Sequence, residues 1–263
     1  MSPPTSPRTD GWLAVLNPFL DAGGTEREQL ERRAGIREVV FGVQDGILTT
    51  MGLTTGVATA AAGAAVAHTT ILIAGLAGAL AGMVSMGTGA YLAACAERDL
   101  KRAAIHKERA ELRNQPVEEH QEMVEILMER GVPETTAHEL SRALAEYPRL
   151  WEETHIEKEL GIPSNPQDSP VRDGVVMAAT FLLGAVVPIV PFIFLTGGWA
   201  IGLSLGLSAV ALLLVGIGKA WIIGQRLVVG GAQVLGVGAA AALAGYILGV
   251  LLPHLSGLRL PAA

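Results

Sequence analysis

A single cysteine, Cys95, stands among 263 residues, which excludes an intramolecular disulfide framework and any cluster of thiolate ligands within one chain. Charge is also scarce: Asp, Glu, Lys and Arg make up 17% of the residues, well below the roughly one quarter usual in soluble globular domains. There is no glycine-rich phosphate loop, serine nucleophile elbow or cysteine zinc motif. ATP hydrolysis within this chain is therefore not expected, and the protein reads as no enzyme. The short apolar stretch from Trp12 to Leu20 is broken by Asn17 and Pro18. It lacks the flanks of a secretory signal and reads instead as a segment lying on the membrane surface.

Long apolar runs take the place of charge. Half of the residues are hydrophobic and the mean hydropathy is +0.42. Five runs, at about 39–66, 69–95, 174–195, 199–218 and 228–252, carry no acidic or basic side chain apart from Asp45. Each is long enough to cross about 30 Å of hydrocarbon as a helix. The expected fold is all-α: a polytopic membrane protein with five transmembrane helices and a helical lobe between spans two and three. The divisions are a cytoplasmic tail (1–38), spans one and two (39–96), a cytoplasmic helical lobe (97–173), spans three to five (174–253) and an extracytoplasmic tail (254–263).

The basic residues set the topology. Five Lys or Arg precede the first span, eleven lie between spans two and three, and Lys219 and Arg226 separate spans four and five, while the loops at His68 and Thr196 have none. The positive-inside rule then puts the amino terminus, the lobe and the Lys219 loop in the cytoplasm. Residues 97–173 hold 18 acids against 11 bases, a surface unsuited to nucleic acid. Proline and glycine divide this stretch into helices with no alternating apolar pattern: one running on from span two to Asn114, then Val117 to Arg130, a third to Tyr147, and a fourth from Pro148 to Gly161. Pro163, Pro166 and Pro170 mark an irregular return to the membrane.

In the spans, Gly42 and Gly46, Gly52 and Gly56, Gly78 and Gly82, Gly202 and Gly206, and Gly245 and Gly249 repeat at the spacing that lets helix backbones approach closely. Asp45 is the only acidic residue in a long apolar run. A charge near the bilayer interior costs a few kcal/mol even on lenient scales, so it faces protein or water. Steps of three and four from it reach Thr49, Gly52, Gly56 and Thr59, a face able to line a hydrated path. The alternative is that Asp45 hydrogen-bonds a neighbouring helix near the cytoplasmic end. On span two, Met86 lies among Gly75, Gly78, Gly82 and Gly89 with Ser85 beside it. Its thioether is either a soft, weak ligand for a borderline metal or core filler, as are Met51 and Met83.

The lobe pairs Glu108 with Glu111, Glu119 with Glu122, and His155 with Glu159, each on one helical face. Glu118, His120, Glu125 and Glu152 make the set denser. Carboxylates with an imidazole suit Fe(II), Mn(II), Co(II) or Zn(II), whereas an all-oxygen shell leans toward Ca(II) or Mg(II). The competing explanation is a solvated, salt-bridged surface.

Four blocks in this order, VFGVQDG (Val40 to Gly46), SMGTGAY (Ser85 to Tyr91), KERAEL (Lys107 to Leu112) and ELG (Glu159 to Gly161), resemble the vacuolar iron transporter family, five-span divalent metal transporters. The resemblance covers about residues 35–253. It implies a homodimer whose first spans frame a path for Fe(II), often also Mn(II), Co(II) or Zn(II), moved out of the cytosol in exchange for protons. Asp45 matches the family's pathway aspartate and Met86 its pathway methionine, with Thr49 beside them. Glu108, Glu111, Glu119, Glu122 and Glu159 match its metal-binding glutamates, and His155 is expected to join them. The chain departs from the family in two places: His155 and Ile156 replace a methionine pair, and Ala90 replaces an acidic residue. The metal is cargo, and no prosthetic group is expected. A bacterial inner membrane is the expected location, with a vacuolar or other organelle membrane as the alternative. The rival reading is a membrane-anchored metal sensor or store without transport.

Overall fold

The computed structural model describes residues 26–61, 67–163 and 169–256. The Trp12–Leu20 stretch, Pro166 and both chain ends lie outside them. The described residues form eight helices and no strand: α1 (Glu26–Ala60), α2 (Ala67–Asn114), α3 (Pro116–Glu129), α4 (Glu134–Ala145), α5 (Pro148–Lys158), α6 (Pro170–Phe194), α7 (Gly197–Ile223) and α8 (Leu227–Ser256).

Four of these helices, α2, α6, α7 and α8, are long and apolar enough to cross a membrane. The fifth expected span falls on α1, which does not reach that standard because Gln44, Asp45 and five threonines between Thr49 and Thr59 dilute its apolar residues. Its position explains how it tolerates them: α1 packs against α6, α8, α2 and α7, so much of its surface meets helix rather than lipid.

Glycine makes that close packing possible. A Cβ at Gly46 would collide with the Phe181 carbonyl oxygen, and one at Gly184 with that of Val43, so α1 and α6 touch backbone to backbone. Gly52 with Gly245, and Gly56 with Gly249, do the same for α1 and α8. On α2, Gly82 accommodates the Phe181 ring and Gly78 the Leu53 side chain. Four of the five glycine pairs read from the sequence are thus helix seams. Gly202 and Gly206 are the exception, since nothing among the described residues lies within 4 Å of a Cβ built there. The seam between α7 and α8 instead uses Gly216, whose Cβ would stand 2.6 Å from the Gly230 carbonyl oxygen.

The order of these contacts fixes helix directions. Gly42 and Gly46 meet Thr180 and Phe181, and Gly52 and Gly56 meet Gly245 and Gly249, so α1, α6 and α8 run parallel. Gly87 meets Gly174 and Gly75 meets Ile189, making α2 antiparallel to α6, and the Ser204 hydroxyl donates to the Pro188 carbonyl (2.7 Å), making α7 antiparallel as well. The start of α1, the lobe and the turn at Gly224 consequently share one end of the bundle. At the opposite end, His68 Nε2 lies 2.5 Å from the Phe192 carbonyl oxygen, tying α2 to the end of α6.

α2 does not stop at the bundle. It continues to Asn114 and the lobe is mounted on it. Pro116 and Pro148 each occupy the first turn of a lobe helix, where the missing N–H costs nothing. Gly131, with φ of 88°, ends α3: its N–H reaches the Met128 carbonyl and that of Val132 the Leu127 carbonyl, a left-handed cap that glycine adopts without penalty.

Candidate metal centre and membrane site

The lobe helices converge on four donor residues. Glu108 comes from α2, Glu119 from α3, His155 from α5 and Glu159 from the residue capping α5. One ligand atom from each lies within 4.8 Å of all the others. His155 Nδ1 is 3.4 Å from Glu108 Oε1, 3.4 Å from Glu119 Oε2 and 3.6 Å from Glu159 Oε2. His155 is 0% exposed, Glu108 2% and Glu119 4%, while Glu159 opens to solvent.

The chemistry of these groups is unmet among the described residues. Glu108 Oε1, Glu119 Oε2 and both His155 ring nitrogens are buried without a hydrogen-bond partner. Burial, followed by the Glu159 and Glu119 charges, pushes the Glu108 carboxyl up to about 8. Burial and then Glu122 push Glu119 up to about 7. Glu122 is also raised, by burial and then by Glu159. His155 goes the other way, driven down to about 4 chiefly by burial. A neutral imidazole forms no ion pair with the surrounding carboxylates, so proximity here is not charge compensation. A divalent cation would satisfy all four donors at once, with one nitrogen and three carboxylates around it.

The expected ligand set is therefore brought together in part. Glu111 lies one turn beyond Glu108, contributes to its raised pKa, and is held by Lys107 (2.9 Å). Glu122 is exposed one turn beyond Glu119. Both belong to the rim of the cluster. Glu152, which the sequence placed near the set, pairs with Arg109 instead (2.7 Å). His120 bonds Ser141 (2.8 Å). Spacing gave no sign of Trp151, whose ring packs edge-on against His155 at 4.3 Å and tilted against His120 at 4.9 Å; an aromatic on the turn preceding a candidate ligand was the available signal.

In the bundle, Asp45 is half-buried on α1, with the Thr49 hydroxyl bonded to its carboxylate. Thr49 itself is exposed. Met86 packs with the α2–α6 cluster of Ala79, Phe181, Ala185 and Ile189. Phe181 ties the two levels together, since Gly46 abuts its backbone and Gly82 its ring. Asp45, beside Gly46, thus lies roughly 12 Å along the axis beyond Asp173, the last charge of α6, while Met86, beside Gly87 at Ala178, lies about one turn nearer to it. Gly52, Gly56 and Thr59, which the sequence aligned with Asp45, are occupied by α8. That part of the stripe is a packing seam.

A bundle of membrane helices with a half-buried carboxylate, carrying a lobe with an unsatisfied donor cluster, defines an integral membrane protein. Residues 36–250 match the VIT family, and the chain belongs to it. That is a family of transporters, and the protein is not an enzyme. It is 31% identical over 212 residues to vacuolar iron transporter 1 of Oryza sativa subsp. japonica, covering 80% of this chain and 82% of that one. Vacuolar iron transporter 1 of Tulipa gesneriana is 30% identical over 81% of this chain and 85% of its own. The vacuolar iron transporter of Toxoplasma gondii is 30% identical over 87% of this chain and 78% of its own.

Proposed function

We propose that this protein is a secondary transporter that moves Fe(II) or a similar divalent metal (Mn, Co or Zn) out of the cytosol in exchange for protons. It acts as a homodimer with five spans per chain, α1 being the first, in a bacterial inner membrane or, as the alternative, an organelle membrane. The observation that carries the reading is the orphaned donor cluster of Glu108, Glu119, His155 and Glu159 on a helix that runs on into the bundle. Glu111 and Glu122 at its rim attract cations and complete the set of acidic ligands. The lobe collects metal, and Asp45, Thr49 and Met86 form the membrane path.

Two further points support the proposal. Ligation requires the deprotonated carboxylate, and Glu108 and Glu119 hold protons near neutral pH, so loading metal releases protons. Asp45 is half-buried and Thr49 exposed within one chain, leaving a charge at membrane depth that needs protein or water opposite it. A second copy meets that need.

Proteoliposomes loaded with a fluorescent metal indicator test the reading. Fe(II) uptake should require an opposing proton gradient and be abolished by Asp45→Ala, while metal binding by the lobe stays intact. Normal uptake by the variant would remove Asp45 from the mechanism. Metal binding without flux in the unaltered protein would identify an anchored store.

A further inference from the structure

We infer that the lobe carries a second ligand site, a pocket for a small organic anion bearing a planar ring. The cavity has a volume of about 460 Å³ and lies between the end of α2, the start of α3 and the start of α5. Arg109, Arg113, His120, Trp151 and Glu152 supply its polar and aromatic lining, with Leu112 among the apolar wall residues. None of these is among the four clustered metal donors.

Charge and shape select the ligand. Arg109 is paired with Glu152, so these two cancel. Arg113 uses only Nε, donating to the Arg109 carbonyl (2.8 Å), and has no carboxylate partner among the described residues. Its two terminal nitrogens remain as a fork suited to a carboxylate or phosphate. α3 and α5 begin at this cavity with Pro116 and Pro148, and neither start has a side-chain cap, so the positive ends of both helices add to the same field. In a lobe with 18 acids against 11 bases, this is a local cationic recess. The cavity far exceeds one inorganic phosphate, and the Trp151 and His120 rings in its wall offer faces for stacking. The ligand class is therefore a planar organic carboxylate or phosphate with one or two negative charges. Trp151 separates this recess from His155, but the assignment stands whether or not the neighbouring cluster holds metal.

The test uses the full-length protein in detergent, stripped of metal with EDTA and titrated with AMP, salicylate, citrate and inorganic phosphate. Tryptophan fluorescence and calorimetry are the readouts. AMP or salicylate should saturate, distinguishing phosphate-bearing from carboxylate-bearing ligands, with citrate and phosphate at least about tenfold weaker. Arg113→Ala should weaken binding about tenfold or more, Arg113→Lys less, and Trp151→Phe should remove the fluorescence change. Circular dichroism checks that each variant is folded, and Arg113→Gln serves if Arg113→Ala is not. Saturation by none of the four anions in the millimolar range, or equal affinity in the folded Arg113 variants, would overturn the assignment. Citrate or phosphate binding as tightly as the ring compounds would overturn its ring specificity.

Discussion

In the bundle, Thr54, Thr59 and Thr180 turn their hydroxyls back to a carbonyl one turn earlier on their own helices, and Ser204 reaches the Pro188 carbonyl. In the lobe, Glu108, Glu119 and His155 are buried as deeply, yet key atoms of all three have no partner. Thr50 and Ser208 are orphaned in the bundle too, but a neutral hydroxyl costs far less to strand than a carboxylate. The membrane half resolves its polar groups locally because lipid offers no alternative. The lobe leaves a set unresolved, two carboxyl groups and an imidazole gathered around one point. Such a set is costly without a cation, and the proposed metal site rests on that cost.

The sharpest way to break the contrast is to disturb the bundle's seams. Gly46→Val would drive a side chain into the backbone of α6 at Phe181 and Ala185, where no rotamer change gives relief. A loss of about 3 kcal/mol or more is expected, seen as a lower melting temperature or loss of the monodisperse species in detergent. His155→Ala should weaken Co(II) or Fe(II) binding about 100-fold, the upper end for losing even an outer-shell partner of a metal, at a smaller stability cost than Gly46→Val, because the cavity left beside Trp151 is offset by the removal of two unpartnered buried nitrogens. Calorimetry would measure it, and a small change would remove His155 from the ligand set.

Acidity gives an intermediate effect. With Glu108 and Glu119 raised to about 8 and about 7, metal must displace protons below those values, so affinity should climb as pH rises from about 6 to 8, by up to about tenfold per pH unit for each proton displaced. Proton release, from calorimetry in buffers of different ionisation enthalpy, should shrink toward zero above about pH 9. Without metal the sign reverses: the folded lobe retains protons that the unfolded chain surrenders above 4.5, so these two groups lower stability as pH rises through 8. His155, depressed from 6.5 to about 4, lowers it as pH falls between those values. The smallest effect belongs to Gly202→Ala. With open space around Gly202, the change should be neutral or stabilising by about 0.5–1 kcal/mol; a lower melting temperature would reveal a second chain against that face.

Much of the architecture was legible because its signals are local. Pro116, Gly131 with Pro133, and Pro148 set the lobe's helix boundaries to within a few residues of those observed, since each residue acts on its own backbone. Family membership was legible from four short blocks. Which acids meet was not. Spacing tells that Glu108 and Glu111 share a face, but Glu119 joins Glu108 only because the chain reverses at Gln115, and no periodicity encodes that angle. The same limit hid Trp151 and misread Gly202 and Gly206, whose spacing is identical to that of Gly52 and Gly56. Whether a small residue is filled by a neighbour depends on which helix arrives there.

The unbroken 48-residue α2 has a mechanical consequence. A helix this long, about 72 Å, behaves as a shaft, with Met86 near one bearing and Glu108 about 33 Å along it. Tilting the shaft by five degrees about Met86 swings Glu108, and the lobe around it, by roughly 3 Å. A small inclination of α2 in the bilayer is thus magnified into a displacement of the whole lobe, because the lobe helices pack on α2 and on one another.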